Sequence, residues 1–280
     1  MTSTAIKGKN SAPKEKNFGR VLIVAGSDPV AGAGLQADLK TVSAIGGYAM
    51  TAVTAITVQD TRQVYDFLPL EPDWVARQMR VVLQDVGADC VKLGMLGSPG
   101  IVAAVAAVLA DHPGLPVVAD PILVAGGGGS LAKEGAATVL RNLLLPRVTL
   151  LTPNVPEAEV LTGLTIDSTA TMEQAAQQLA RIGCRVLLTG GHLASGEIIR
   201  DLFFDGQTCH WFASPRRAGP GFHGTGCTLA SAVATGVAQG MTLHDAVAHG
   251  LDYVRRAVAG SLSLGQGQLL LRHFLGLDDE

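Results

Sequence analysis

A cysteine near the carboxyl end of the chain stands where a glycine-rich loop becomes a helix, in the stretch HGTGCTLASA. Gly224, Thr225 and Gly226 come directly before it. Their backbone N–H groups would converge on one point, where the helix dipole adds partial positive charge. Such an anion hole suits the negative charge that develops during phosphoryl transfer. The same setting predicts a lowered pKa for the Cys227 thiol and a catalytic role; a buried structural thiol is the alternative.

A second glycine-rich loop lies in the stretch AGSDPVAGAGLQADL, Ala25–Leu39. Gly26 ends an apolar run, Asp28 opens a turn, and a helix follows. The loop would expose N–H groups and let a small ring lie close to the main chain, or it is simply a tight turn. The chain lacks a P-loop motif. It also lacks a complete dinucleotide-binding fingerprint with its acidic ribose-binding residue, so neither nucleotide fold is indicated.

Polar residues follow three further apolar runs. Asp120 is the last residue of PVVAD and directly follows its apolar residues. It either places a carboxylate at the end of a strand or merely marks an Asp-Pro turn. Asn154 and Glu157 follow VTLLT with the spacing of a helix capping box. The functional alternative places their oxygens near Mg²⁺ and phosphate, through water. Thr189 and Gly191, in LLTGGH, would contact a nucleotide or only turn the chain.

Strands and helices must position these loops. Along the chain, apolar runs of strand length alternate with amphipathic stretches of helix length. The alternation predicts an α/β fold with a parallel sheet covered on both faces by helices. Ligands then gather beyond the carboxyl ends of the strands. Asp205-Gly206 predicts an antiparallel hairpin over Glu197–Ser214 at one edge. The predicted strands are Arg20–Gly26, Ala49–Asp60, Cys90–Met95, Pro116–Asp120, Val148–Thr152 and Cys184–Gly191. The predicted helices are Leu35–Gly46, Pro72–Val86, Gly100–His112, Lys133–Leu144, Asn154–Gly163, Thr171–Gly183, Gly226–Gln239 and Leu243–Gly260.

Composition excludes several classes of function. The 280 residues are 48% hydrophobic, 16% charged and only 4% aromatic, with a net charge of -3, so no basic surface for nucleic acid is indicated. The four cysteines have neither C-x-x-C nor zinc spacing, which favours a reduced, cytoplasmic protein. The lysine-rich first residues form neither a secretory signal nor a membrane span. We expect a disordered tail over 1–18 and one domain over 19–280.

Eight of these stretches, in this order, resemble the ribokinase-like superfamily. Within it they are similar to the hydroxymethylpyrimidine/phosphomethylpyrimidine kinases of thiamine biosynthesis. The resemblance runs from about Arg20 to Leu270. It implies a three-layer α/β/α sandwich, a mostly parallel central sheet with an antiparallel edge hairpin, and a homodimer. The matching stretches are AGSDPVAGAGLQADLKT, TAITVQDT, VKLGML, ADPIL, TPNVPEAEVLTG, GGH, LFFDG and HGTGCTLASA.

The resemblance implies phosphorylation of 4-amino-5-hydroxymethyl-2-methylpyrimidine by ATP with Mg²⁺, followed by a second phosphorylation that gives the pyrophosphate. It leaves open a requirement for a monovalent cation. Gly26 and Gln59 would hold the pyrimidine, and the Gln59 amide suits an aminopyrimidine because it both donates and accepts hydrogen bonds. Met95 and Ile122 would pack on the ring. Asp28 lies in the same loop as Gly26 and belongs to the implied substrate site.

The resemblance also implies a nucleotide side. Asp120 and Glu157 would organise Mg²⁺, with Asn154, Thr189 and Gly191 near the phosphates and nucleotide. Most ribokinase-like enzymes carry an aspartate as the base at the end of the anion hole. This subfamily has cysteine there, which makes that thiol the candidate base.

The chain departs from the family in its cations. The expected lysine of the flap is replaced by glycines in VAGGGG, where Gly126–Gly129 would form a mobile flap or a surface loop. The lysine and asparagine expected before the anion hole are missing, although Arg216 and Arg217 lie close by. The first phosphorylation is therefore better supported than the second.

Two alternative functions stay open. Pyridoxal kinases of the same superfamily share the cysteine motif, and Gln59 is what favours the pyrimidine over pyridoxal. A non-catalytic pyrimidine sensor is the second alternative, but a sensor has no need of a complete anion hole.

Overall fold

The protein forms an α/β fold built on one large sheet. The computed structural model describes residues 18–122, 136–193 and 196–275. Within them the strands are β1 (Arg20–Ser27), β2 (Tyr48–Gln59), β3 (Val64–Pro69), β4 (Cys90–Leu93), β5 (Val117–Ala119), β6 (Leu150–Leu151), β7 (Arg185–Leu188), β8 (Ile198–Phe204), β9 (Cys209–Pro215), β10 (Phe222–His223) and β11 (Leu269–Leu270). The helices are α1 (Gly34–Ala44), α2 (Pro72–Asp85), α3 (Pro99–Ala110), α4 (Ala136–Val139), α5 (Val155–Thr162), α6 (Thr169–Ala180), α7 (Thr225–Ala238) and α8 (Leu243–Ala259).

The sheet has nine strands in the described residues, in the order β3-β2-β1-β4-β5-β6-β7-β8-β9. The central strands from β2 to β7 pair in parallel, whereas β3 at one edge and the β8–β9 hairpin at the other are antiparallel. β10 and β11 form a separate pair. The strand order reverses at β1, which has β2 on one side and β4 on the other, and a reversal of this kind opens a ligand crevice.

Helices cover both faces of the sheet, because strand side chains alternate between two cores. Leu22 and Val24 point into a core formed with α2, α3, α5 and α6. Val21 and Ile23 point to the opposite side, into a core formed with α1, α7 and α8. The expected three-layer α/β/α architecture is therefore confirmed, and so is the parallel sheet with its antiparallel edge hairpin.

Some local features differ from the sequence-based expectations. β3 was not predicted, and neither was the β10–β11 pair. Of the helix predicted over Lys133–Leu144, α4 supplies one turn, and Leu140–Leu144 then widens into a π-helical turn. The expected tail lies outside the described residues except for Phe18, and the Gly126–Gly129 flap lies wholly outside them. Among the described helices, none combines the length and apolarity that crossing a bilayer requires.

Candidate active site

Six parallel strands bring the candidate residues to one edge of the sheet. At this edge, in sheet order, lie Gln59 at the end of β2, Gly26 in β1, Met95 after β4, Asp120 after β5, Asn154 after β6 and Thr189 after β7. The residues expected to hold the pyrimidine thus stand on one side and those expected near the nucleotide on the other, with Asp120 between them. Since α7 packs against β1, β4 and β5, its amino terminus lies at the centre of this edge.

The amino terminus of α7 has the geometry of an anion hole. Gly224 caps the helix in the left-handed conformation, with a φ of 85°. The Thr228 N–H donates to the Gly224 carbonyl at 2.9 Å, so the N–H groups of Thr225, Gly226 and Cys227 precede the first intrahelical hydrogen bond. Gly226 is exposed and faces Asp120, because a Cβ built on it would lie 3.3 Å from Asp120 Oδ2. Backbone donors and a carboxylate therefore meet at one point.

The two glycine-rich loops interlock. A Cβ on Gly224 would overlap the Gly32 carbonyl oxygen, and one on Gly32 would lie 2.5 Å from the His223 ring. His223 Nε2 is 3.0 Å from Asp28 Oδ2, which joins the loops by a side-chain contact. Only glycine permits this close approach. His223 is the first residue of HGTGCTLASA, but the sequence does not predict its contact with Asp28.

Asp28 organises its own loop. Its buried carboxylate accepts hydrogen bonds from the N–H groups of Val30 at 2.9 Å, Gly32 at 3.0 Å and Ala33 at 2.8 Å. Burial alone would raise the pKa of Asp28, but hydrogen bonds from His223 and these N–H groups outweigh burial and hold it below its usual range. With both oxygens engaged, the carboxylate shapes the loop next to the expected substrate site.

The Cys227 thiol contradicts one expectation. Its pKa is raised, not lowered, because burial disfavours the thiolate and the carboxylates of Asp38 and Asp120 repel it. Lys92 and a hydrogen bond from the Gly34 N–H oppose this without reversing it. The dipole at the helix end would lower the pKa of the thiol, but desolvation by the surrounding core raises it by more. Cys227 is therefore a neutral thiol in the described structure.

Asp120 lies next to that thiol. Burial raises the pKa of Asp120 to about 6, assisted by Asp38 and opposed by Lys92 and by the hydrogen bond from Cys227. At neutral pH the carboxyl group is thus largely ionised and able to accept a proton. The thiol and carboxylate form a connected pair beside the α7 amino terminus.

A buried ion pair beneath the anion hole was missed at the sequence level. Lys92 Nζ lies 2.8 Å and 2.7 Å from the two carboxylate oxygens of Asp38, and Ser231 Oγ donates to Asp38 Oδ1 at 2.7 Å. Burial alone would lower the pKa of Lys92, but Asp38 and the nearby Asp120 raise it, so the ammonium stays charged. The available signal was a lysine inside the otherwise apolar run CVKL.

The expected pyrimidine side has an apolar floor and one amide. Met95 and Ala55 form a small cluster with Ile122 packed against it. A Cβ on Gly26 would lie 2.7 Å from the Met95 methyl group, so glycine leaves room for that methyl to pack against β1. Gln59 Nε2 donates to Thr57 Oγ1 at 2.8 Å, which orients the amide. The structure brings Gly26, Met95 and Ile122 together, and Gln59 lies at the end of the adjoining strand.

Asn154 and Glu157 form the capping box that their spacing indicates. The Glu157 N–H donates to Asn154 Oδ1 at 2.9 Å, and the Asn154 N–H donates to Glu157 Oε2 at 3.0 Å. Thr189 pairs with Asn154 as an isolated bridge, and its N–H donates to the Pro153 carbonyl at 2.9 Å. These three residues therefore share one corner of the edge.

Hydrogen bonds with Asp201 and Arg216 stabilise the loop after β7. The Gly190 N–H donates to Asp201 Oδ1 at 2.9 Å, and burial raises the pKa of Asp201 to about 6. Arg216 donates to the carbonyls of Gly191 at 2.7 Å and Leu193 at 2.9 Å. The guanidinium therefore supports the loop that carries Gly191.

The donor chemistry of this edge fits magnesium held with nucleotide phosphates. Within the described ranges, no group of three or more His, Cys, Asp or Glu side chains forms a cage that could hold a metal ion. Mg²⁺ in phosphate-transfer sites needs no such cage, because it keeps several waters and binds one or two carboxylates plus substrate phosphates. Asp120 beside the exposed Gly226 offers one such carboxylate, and Glu157 offers a second near the corner.

Comparison with known proteins gives a consistent result. A family model described as phosphomethylpyrimidine kinase matches residues 28–272. The thiamine biosynthesis bifunctional protein ThiED of Geobacter sulfurreducens is 46% identical over 262 residues, which cover 93% of this chain and 53% of that protein. The chain thus spans about half the length of that relative.

Two further proteins match over nearly their whole length. The hydroxymethylpyrimidine/phosphomethylpyrimidine kinase of Bacillus subtilis is 38% identical, covering 91% of this chain and 94% of that protein. The solved pyridoxal kinase from Staphylococcus aureus, in complex with AMP-PCP and pyridoxal, has a TM-score of 0.84 and 32% identity. That match covers 92% of this chain and 94% of the other.

Proposed function

The chain belongs to the phosphomethylpyrimidine kinase family, and on that premise we propose that it phosphorylates 4-amino-5-hydroxymethyl-2-methylpyrimidine with ATP. A second transfer to the monophosphate then gives the pyrophosphate used in thiamine biosynthesis. The observation that carries the proposal is the α7 amino terminus, where backbone donors face Asp120 between an apolar floor and a capped loop. Phosphoryl transfer needs this combination of positioning and stabilisation of developing charge.

The apolar floor and Gln59 support the choice of acceptor. The ring would pack on Met95 and Ile122, close to the backbone at Gly26. Because Gln59 Nε2 already donates to Thr57, its Oε1 is oriented to accept a hydrogen bond from the exocyclic amino group. Asp28 would act indirectly, by holding the loop that borders the ring.

The opposite side would take the nucleotide. Structural relatives bind ADP and AMP-PCP, which supports ATP as the donor. Thr189 and Gly191 would line the nucleotide, with Asn154 near its phosphates. Asp120 and Glu157 would reach Mg²⁺ through water, which leaves Asp120 able to accept a proton, and the metal would neutralise charge on the transferring phosphate.

The protonated thiol limits how the substrate hydroxyl can lose its proton. Cys227 can accept that proton on sulfur only while its own proton passes to the neighbouring Asp120 carboxylate. The hydroxyl oxygen then bonds to the γ-phosphorus as the bond to the ADP oxygen breaks. The N–H groups of Thr225, Gly226 and Cys227 would stabilise the equatorial oxygens during the transfer.

An ADP-release assay with hydroxymethylpyrimidine, its monophosphate and pyridoxal, side by side, tests the proposal. We expect turnover of the first, and of the second more slowly because the family's cations are absent. Parallel runs in potassium and choline buffers test the implied monovalent cation. Failure to turn over hydroxymethylpyrimidine would overturn the proposal.

Pyridoxal kinase is the second candidate. It is favoured by the likeness to the pyridoxal-bound structure over 92% of this chain. Activity on pyridoxal alone would replace the primary proposal, and turnover of none of the three acceptors would favour a pyrimidine sensor.

We further propose one kinase domain over 19–280 that works as a cytoplasmic homodimer. All four cysteines are free, which suits a reducing compartment. At the sheet edge, the cross-strand neighbours Ile56 and Leu68 are 52% and 65% exposed, an apolar face that a second subunit could cover. Analytical ultracentrifugation and cell fractionation test these two points.

A further inference from the structure

A buried ion pair lies beneath the anion hole, and the chemistry described so far does not use it. Lys92 and Asp38 are both 0% exposed, and their charged groups are 2.7 Å apart. The pair joins β4 to α1, and Ser231 ties it to α7 through its hydrogen bond to Asp38. Three elements that build the site thus meet at one charged contact.

Filling a core with an ion pair is energetically unfavourable compared with filling it with apolar residues. Removing two charges from water carries a large desolvation penalty, and apolar residues of similar volume often serve stability as well or better. The neighbours of Lys92 within β4, Cys90, Val91 and Leu93, are apolar and fully buried or nearly so. Stability alone therefore gives no reason for a lysine at this position.

The position of the ammonium group gives a reason. A Cβ on Gly94, the residue directly before Met95, would lie 3.0 Å from Lys92 Nζ. The positive charge therefore lies at the carboxyl end of β4. Ser231 lies one helical turn after Cys227 on α7. The positive charge is close enough to interact electrostatically with both Cys227 and Asp120. The ammonium therefore lies just below the place where negative charge would gather.

We propose that Lys92 is a positioning residue for phosphoryl transfer, whose buried charge favours negative charge at the anion hole while Asp38 holds the ammonium in place. The inference rests on the proposed kinase function, because it needs a reaction that develops negative charge at this point. Lys92 acts through Asp120 and the α7 amino terminus. Charge fixed in a dry core needs no rearrangement during the reaction, which makes it effective.

The double variant Lys92→Met/Asp38→Asn tests the proposal, because it removes both charges and leaves neither one buried alone. The new amide oxygen can still accept from Ser231. We expect a melting temperature close to wild type and KM values within about threefold, while kcat falls by about 10- to 100-fold. The control is Arg20→Met/Asp89→Asn, which removes an ion pair of 2.7 Å at the opposite end of the sheet. Its kcat should stay unchanged.

A stable double variant with wild-type kcat would overturn the proposal. If the double variant fails to fold, Ser231→Ala decides, because it breaks the tie to α7 while Lys92 keeps its charge. We expect this variant to lower kcat by at most about threefold. A tenfold fall in kcat would show that the hydrogen bond from Ser231 matters and not the charge of Lys92. All variants are compared on whichever acceptor the wild type phosphorylates. A wrong substrate assignment would therefore appear in the wild type, and a wrong role for Lys92 only in the variants.

Discussion

Replacement of Cys227 by alanine and by serine separates two roles for the thiol. If the thiol relays a proton between the substrate and Asp120, serine can take over because a hydroxyl also accepts and donates. If a thiolate is the base, serine fails as completely as alanine, because its hydroxyl ionises far less readily. Alanine removes the side-chain contact to Asp120 in either case.

The structure sets the expected magnitudes. An ordinary thiol with a pKa of ~8.5 is only about one-tenth ionised at pH 7.5, and each unit upward removes another factor of ten. The raised pKa of Cys227 therefore leaves too little thiolate to carry the reaction. We expect Cys227→Ala to lower kcat by about 100-fold, or ~2.7 kcal/mol, the scale of a lost acid–base group. We expect Cys227→Ser to lose less than about tenfold.

The assay is ADP release at saturating ATP and pyrimidine, with pyrimidine affinity measured separately by calorimetry. Cys184→Ala is a matched control, since that thiol is also buried and burial raises its pKa to about 11, but it lies before β7 in the opposite core. Equal, large losses in the alanine and serine variants would refute the relay and restore the thiolate. Wild-type rates in both would remove Cys227 from the chemistry.

Two further predictions concern binding and stability. Gln59→Ala should raise KM for the pyrimidine by about 3- to 10-fold with little change in kcat, the scale of one neutral hydrogen bond. Gln63→Ala, in the adjoining exposed turn, is its control, and an unchanged KM in the first variant would contradict the assignment. Asp201 has a pKa raised to about 6 by burial, so it binds a proton more tightly when folded, and its ionisation costs stability as pH rises from about 4 through 6. Asp201→Asn keeps the oxygen that accepts from Gly190 and should raise stability at pH 7.5 by up to ~3 kcal/mol, with little effect at pH 4. Urea unfolding at both pH values measures this, and no gain at pH 7.5 would refute it.

The architecture was predictable because burial on both faces of a parallel strand leaves an uninterrupted apolar run. RVLIVAG, at β1, is such a run, and the helices between the runs carry their own apolar spacing. β3 was not predicted because it lies at the edge, where all six of its residues are exposed or half-buried and no apolar run is needed. The β10–β11 pair escaped because two-residue strands carry no periodicity.

The site was predictable where a local pattern determines the geometry. The Asn154–Glu157 capping box depends on residues three apart, and the anion hole on glycines next to a helix start. The pKa of Cys227 and the Lys92–Asp38 pair depend on groups brought together only by the fold. No spacing rule within one segment could reveal the charge beneath the anion hole.

The interlocked glycine loops determine when the site can form during synthesis. β9 ends at Pro215, so every strand of the nine-stranded sheet has been synthesised before His223 is added. The contact between His223 and Asp28 joins parts of the chain that are 195 residues apart. During synthesis, the anion hole can therefore close only after all strands of the large sheet have been translated, when the segment with His223 packs onto the loop that holds Asp28.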